Sequence, residues 1–208
     1  GTGGHIFPAI AVARRLQDEG VSVHWVGSSR PLEQRLIKPY FNLTCMTIES
    51  VRGRGRMAWL GLPWRLCRAV IQALGIVRRV APDVVVTFGS FVSGPVGLAA
   101  WLFKKPLLVH EQNAIAGMTN RYLARIATHV LAAFPESFST SKKMSVIGNP
   151  VRKVLCEVPS PNDRFRGRTG PVRVLVLGGS QGARALNNAV MDWAKQYAFA
   201  DEFEIWHQ

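Results

Sequence analysis

Short apolar runs rich in Val, Ile and Leu alternate along this chain with longer stretches whose apolar residues recur every three or four positions. The first kind reads as buried strand and the second as amphipathic helix. The pattern predicts a helix from Ala9 to Glu19 closed by Gly20, a strand from Val21 to Val26, a helix from Pro31 to Lys38 and a strand from Leu43 to Ile48. A helix from Pro63 to Val80 follows, opened by a proline whose missing N–H would have had no partner there. Leu66, Val70, Ala73 and Val77 share one of its faces, and Arg65, Arg68 and Gln72 lie on another. Next come a strand from Asp83 to Phe88, a helix from Pro95 to Phe103 and a strand from Pro106 to His110. A helix from Met118 to Ile126 and strands from His129 to Ala133 and Met144 to Ile147 complete this part.

Strands of this composition separated by helices are those of a parallel sheet covered on both faces, so residues 1–156 read as a Rossmann-like α/β domain. Residues 157–171, rich in Pro, Ser, Arg and Gly, have the composition of a linker. A fresh strand, Val172 to Leu177, then runs into a glycine-rich loop and a helix from Arg184 to Tyr197, so residues 172–208 read as the beginning of a second α/β domain. Glycine-rich turns of this kind usually follow a buried strand, yet the first one starts at Gly1. A strand ahead of residue 1 is therefore expected, and another is ending where the chain stops at Gln208.

Composition narrows the class without naming a function. Of the 208 residues 48% are hydrophobic and 19% charged, which is globular rather than disordered. No uninterrupted apolar run approaches the roughly 20 residues that cross a bilayer, and no signal-peptide pattern opens the chain. Cys45, Cys67 and Cys156 are widely spaced and read as reduced thiols packed as small hydrophobes. The net charge of +13 attracts polyanions: nucleic acid, an anionic membrane face or phosphorylated substrates.

Two loops carry the first chemical signal. Gly1-Thr2-Gly3-Gly4-His5 precedes one helix, and Gly178-Gly179-Ser180-Gln181-Gly182 precedes another. Glycine lets backbone approach a ligand, and a helix N-terminus offers unpaired N–H groups to phosphate. Neither loop continues into the Gly-Lys-Ser/Thr of a P-loop. Two such loops in successive domains suggest one substrate gripped from both sides. His5 follows the first loop and is either a general base, suited by its near-neutral pKa, or a cap for the turn.

The polar run His110-Glu111-Gln112-Asn113 ends a strand, where open α/β sheets bind ligands; the bland alternative is that it only braces the next loop. Ser93 and Gly94 before Pro95 read as a helix cap. Between Arg52 and Leu66, arginines including Arg54 and Arg56 interleave with Trp59, Leu60 and Trp64. That mixture suits an anionic membrane surface, an RNA, or a basic loop leading into an ordinary core helix.

Taken together, six motifs resemble the MurG family of GT-B glycosyltransferases, in order and at similar spacing over essentially the whole chain. They are Gly1-Thr2-Gly3-Gly4-His5-Ile6-Phe7-Pro8-Ala9, Arg52-Gly53-Arg54-Gly55, Val92-Ser93-Gly94-Pro95, His110-Glu111-Gln112-Asn113, Gly148-Asn149-Pro150-Val151-Arg152 and Gly178-Gly179-Ser180-Gln181-Gly182-Ala183. The resemblance implies a two-domain GT-B fold and inverting transfer of N-acetylglucosamine from UDP-N-acetylglucosamine to lipid I, giving the lipid II of peptidoglycan synthesis. It implies donor contacts from Thr2, Gly3, Gly4, Asn113, Arg152 and Ser180, with Gly178, Gly179, Gln181 and Gly182 forming a phosphate loop. His5 is implied as catalytic base, with Glu111 second.

The family needs no cofactor or catalytic metal, and no Asp-x-Asp motif occurs here. The resemblance also implies peripheral attachment to the cytoplasmic face of the bacterial inner membrane through Arg54, Arg56, Trp59, Leu60 and Trp64, and no nucleic-acid partner. A GT-B transferase with another lipid acceptor and a basic RNA-binding module are the competing expectations. The family's usual Gly-Gly-Tyr is Gly89-Ser90-Phe91 here, which removes a tyrosine hydroxyl. Because uridine contacts lie mostly beyond Gln208 in the family, the 208-residue chain alone is expected to bind donor weakly and not to turn over.

Overall fold

The structure is a computed structural model and describes residues 3–47, 61–138, 143–178, 182–197 and 202–208. It divides into two compact units, Gly1–Cys156 and Glu157–Gln208. In the first unit the order is α1 (Gly3–Asp18), β1 (His24–Ser28), α2 (Pro31–Ile37), β2 (Asn42–Met46), α3 (Leu62–Val80), β3 (Val85–Thr87) and α4 (Ser93–Leu102). Then follow β4 (Leu107–Glu111), α5 (Met118–Ile126), β5 (His129–Ala132), β6 (Met144–Val146) and the short α6 (Lys153–Cys156). The second unit holds α7 (Pro161–Phe165), β7 (Val172–Val176), α8 (Arg184–Tyr197) and β8 (Phe203–His207).

Every strand pair is parallel. In the first unit β1 pairs with β2, and β3, β4, β5 and β6 form a four-stranded sheet in that order. In the second, β7 pairs with β8. The α/β class expected from the periodicity is the class found.

The first unit has two hydrophobic cores. Ala69, Ala73, Ile76 and Val77 of α3, Val96, Ala99 and Ala100 of α4, and Leu123 of α5 pack against Val85, Leu107, Val109 and Val130 of the sheet. Ile6, Ile10 and Ala13 of α1 pack with Ile37 and Phe41. A cavity of about 410 Å³ lies between these layers, walled by α1, α3, β1 and β3. Each of these two strands pairs on one side only among the described residues.

Several local expectations change: β1 begins at His24 rather than Val21, and Cys67 and Cys156 are exposed rather than packed. Helix α1 begins at Gly3 rather than Ala9 and carries Pro8 inside it. The buried face formed by Ile6, Ala9, Ile10 and Ala13 is continuous through the proline, so packing outweighs a break that local sequence favours. Ser93 lies inside α4 and is not its cap: its hydroxyl donates to the Gly89 carbonyl at 2.7 Å, and Val92 is the N-cap residue. Within residues 157–171, Ser160 caps α7, its hydroxyl accepting from the Asp163 N–H.

Candidate active site

The site grows from the end of β4. Its last residues, His110 and Glu111, are each 1% exposed, although they are the most polar part of the strand. Burial of such groups is tolerable only when partners replace water. His110 Nε2 lies 3.2 Å from the Gly148 carbonyl, so that nitrogen carries the proton and donates. Burial holds this imidazole below its ordinary value, against the Gly148 hydrogen bond and the Glu111 charge, which pull it up. Its ring packs on Phe88 with centroids 5.3 Å apart. Gln112 Nε2 donates to the Phe88 carbonyl at 3.0 Å, and Asn149 Nδ2 donates to the Gln112 carbonyl at 3.1 Å. The strand end is thus joined to the end of β3 and to the 148–149 turn.

Glu111 accepts four N–H groups: Asn113 N at 3.0 Å and Asn113 Nδ2 at 2.8 Å on Oε1, Gly117 N at 3.0 Å and Asn120 Nδ2 at 2.9 Å on Oε2. Two oxygens with about four lone-pair sites are filled. This carboxylate folds the 112–117 loop back on the strand and ties it to the start of α5. Asn113 is exposed, and its carbonyl accepts from Ser137 Oγ at 2.7 Å.

His5 is half-buried in the first turns of α1. Burial pushes its imidazole below the ordinary 6.5, and the Glu111 charge pulls it up. The net effect is a neutral ring at pH 7. Gly89 makes the approach possible. With φ +85 it sits in the left-handed region, and a Cβ there would fall 3.0 Å from His5 Cδ2 and 3.2 Å from Asn120 Nδ2. Ser90 beside it holds φ 103, which a side chain adopts only under strain. Arg152 lies over the Phe7 ring, 5.4 Å from guanidinium carbon to centroid, which brings the 148–152 motif against α1.

Of the residues expected from sequence, the structure joins Asn113 to Glu111, sets His5 against Gly89 and sets Arg152 on Phe7 of α1. Gly3 and Gly4 open α1, and Thr2 lies outside the described residues. In the second unit, a Cβ on Gly178 would meet the Ala183 N at 3.0 Å, and Gly182 has φ +71, so Gly178 lies close against Gly182 and Ala183 just before α8. Gly179, Ser180 and Gln181 lie outside the described residues, as do Arg54, Arg56, Trp59 and Leu60. Trp64 is 74% exposed in the first turn of α3. Among the described residues no three His, Cys, Asp or Glu side chains come together as metal ligands. The roles of Asn120, Gly89, Ser137 and Asn149 were not legible in the sequence, because each acts on a partner that only the fold brings to it.

The chain is similar to known proteins over its whole length. A transferase of Coxiella burnetii, named for moving N-acetylglucosamine to N-acetylmuramyl-(pentapeptide) pyrophosphoryl-undecaprenol, is 47% identical over the whole chain. A similarly named protein of Photorhabdus laumondii is 48% identical. The chain spans 58% of the length of each. The crystal structure of Acinetobacter baumannii MurG superposes with a TM-score of 0.79 at 37% identity, covering all of this chain and 58% of that one. A UDP-N-acetylglucosamine 2-epimerase of Listeria monocytogenes, described as putative, shares the fold alone, with a TM-score of 0.61 at 12% identity, over 98% of this chain and 58% of that one. Residues 1–132, which hold the glycine-led helix, the Gly89 turn and the Glu111 loop, match the glycosyltransferase family 28 N-terminal domain, and the chain belongs to that family.

Proposed function

We propose that this chain forms the acceptor-side part, and the beginning of the donor-side part, of an inverting N-acetylglucosaminyltransferase. The sugar moves from UDP-N-acetylglucosamine to the 4-hydroxyl of the muramoyl sugar on undecaprenyl-diphospho-N-acetylmuramoyl-pentapeptide, lipid I. The carrying observation is a half-buried His5 held against Gly89, near a carboxylate already committed to four N–H donors. The imidazole takes the proton from the acceptor hydroxyl while that oxygen bonds to the anomeric carbon. The bond from that carbon to the diphosphate breaks, and the electron pair leaves with UDP. Glu111, whose lone pairs are filled, stabilises the imidazolium through its charge rather than competing for the proton. Arg152, Asn113, Thr2, Gly3 and Gly4 are donor-binding residues in this reading, and so are Ser180, Gly178, Gly179, Gln181 and Gly182.

Attachment to an anionic membrane surface is part of the same reading. Trp64 and Ile71 are exposed on α3 beside Arg65 and Arg68, and Trp101, Leu102 and Phe103 end α4 beside Lys104 and Lys105. Exposed aromatics flanked by cations suit the headgroup layer. No helix among the described residues is long and apolar enough to cross a membrane. Replacing Trp64 and Trp101 with Ser should release the protein from phosphatidylglycerol vesicles in co-sedimentation, and undiminished binding would remove this element of the proposal.

The transfer itself is tested with this chain completed by the remaining segments of the Coxiella burnetii relative, using labelled UDP-N-acetylglucosamine and a lipid I analogue. Positioned general bases contribute about 10²–10⁴ in rate, so His5→Ala should lower kcat by that factor. In the unsubstituted protein the rate should be flat at neutral pH and fall with acidification only below 6.5, because the folded-state imidazole is lowered from that value. Transfer unaffected by the substitution would move the base elsewhere, and a folded protein without transfer would reopen the acceptor.

A further inference from the structure

We infer that Asn120 is a positioning residue of this site, an amide required at its place because both of its neighbours are acceptors. The inference rests on the reading of His5, Glu111 and Asn113 as the working groups. Asn120 projects from the first turn of α5 and is 2% exposed. Its Nδ2 donates to the His110 carbonyl at 3.0 Å and to Glu111 Oε2 at 2.9 Å, which uses both amide hydrogens. Its Oδ1 is buried with no hydrogen-bond partner. A buried acceptor without a donor is costly, so the side chain is not oriented by its oxygen. Turning the amide over would set oxygen against two other oxygens, so the observed orientation is the one its neighbours impose.

Three consequences follow from that bond pair. Asn120 and the Gly117 N–H hold the same oxygen of Glu111, so α5 clamps one side of the carboxylate while Asn113 takes the other. Releasing Oε2 lets the carboxylate turn and loosens Asn113, the exposed member of the loop. The same Nδ2 and the His5 ring both border the point where a Cβ of Gly89 would stand, so the amide also forms one wall of the His5 site. Glu111 is a charged group acting on His5, and Asn120 fixes its position.

Aspartate is nearly isosteric with asparagine but offers no N–H, and that difference supplies the test. In Asn120→Asp, two carboxyl groups in contact must share a proton to keep the Oε2 hydrogen bond. Amide exchange and imidazole titration are read by NMR on the chain, with Asn120→Ala beside it. In Asn120→Ala, exchange of the Asn113 N–H should speed up by on the order of tenfold, the worth of about one hydrogen bond, while interior amides of α5 keep their protection. In Asn120→Asp, protection of Asn113 should be present at acid pH and lost as pH rises through the shared titration. The His5 midpoint should rise, because a second carboxyl then borders its ring.

Unchanged Asn113 exchange in the alanine variant would overturn the inference. So would equal loss of protection throughout α5 in both variants, which would mean that Asn120 only supports packing. None of these readouts depends on sugar transfer, so the transferase reading and this inference fail separately.

Discussion

In each unit a glycine-rich segment of the sequence leads into a helix, and the two helices sit in very different surroundings. In the first unit, α1 is covered by Ile37 and Phe41, and the polar end of β4 is sealed under a network of buried hydrogen bonds. In the second, β7 is exposed along most of its length, with only Val176 buried, and α8 buries no residue. Its contacts are peripheral: Arg173 with Glu204 at 2.5 Å, and Trp193 against Tyr197 and Phe203. One backbone device can be delivered by local sequence alone. Holding charged and polar groups in fixed places takes a core, and the described residues of the first unit have one.

Substitutions that remove single polar partners should sharpen the contrast. The largest effect is expected at Glu111→Gln, where an amide nitrogen must face one of two pairs of N–H donors. Leaving buried donors without an acceptor costs about 1–3 kcal/mol each, so the denaturation midpoint of the first unit should fall clearly. Removing Arg173 from its ion pair in the second unit should leave that unit's unfolding unchanged, because the pair lies in solvent. Comparable losses from the two substitutions would erase the distinction between the units. A smaller effect of opposite sign is expected at Ser90, whose φ of 103 suits glycine. Ser90→Gly should raise stability by about 1 kcal/mol by relieving that strain. No gain would mean that its surroundings offset the strain.

Strands β3 and β4 showed in the sequence because Val85-Val86 and Leu107-Leu108-Val109 are short β-branched and apolar runs that suit a pleat. Helix α3 showed through its periodicity. The start of α1 did not, because Pro8 is a local signal while the face made by Ile6, Ile10 and Ala13 acts only against α2 and the β1–β2 pair. Ser93 misled in the same way: its hydroxyl can cap a helix or donate back to Gly89, and only the turn at Gly89 selects the second.

The residue types fixed which chemistry was available: glycine-led turns for phosphate, His5 for a proton and a polar strand end for a ligand loop. Tertiary structure decided how those groups are deployed. Glu111 became an acceptor for four N–H groups because Gly117 and Asn120, six and nine residues along, return to it when α5 packs on the sheet. Gly89 became indispensable because His5, 84 residues earlier, and Asn120, 31 residues later, arrive at its missing side chain. A sequence specifies short-range geometry through backbone preference. Contacts between distant segments exist only once burial has brought them together, and this site is made of such contacts.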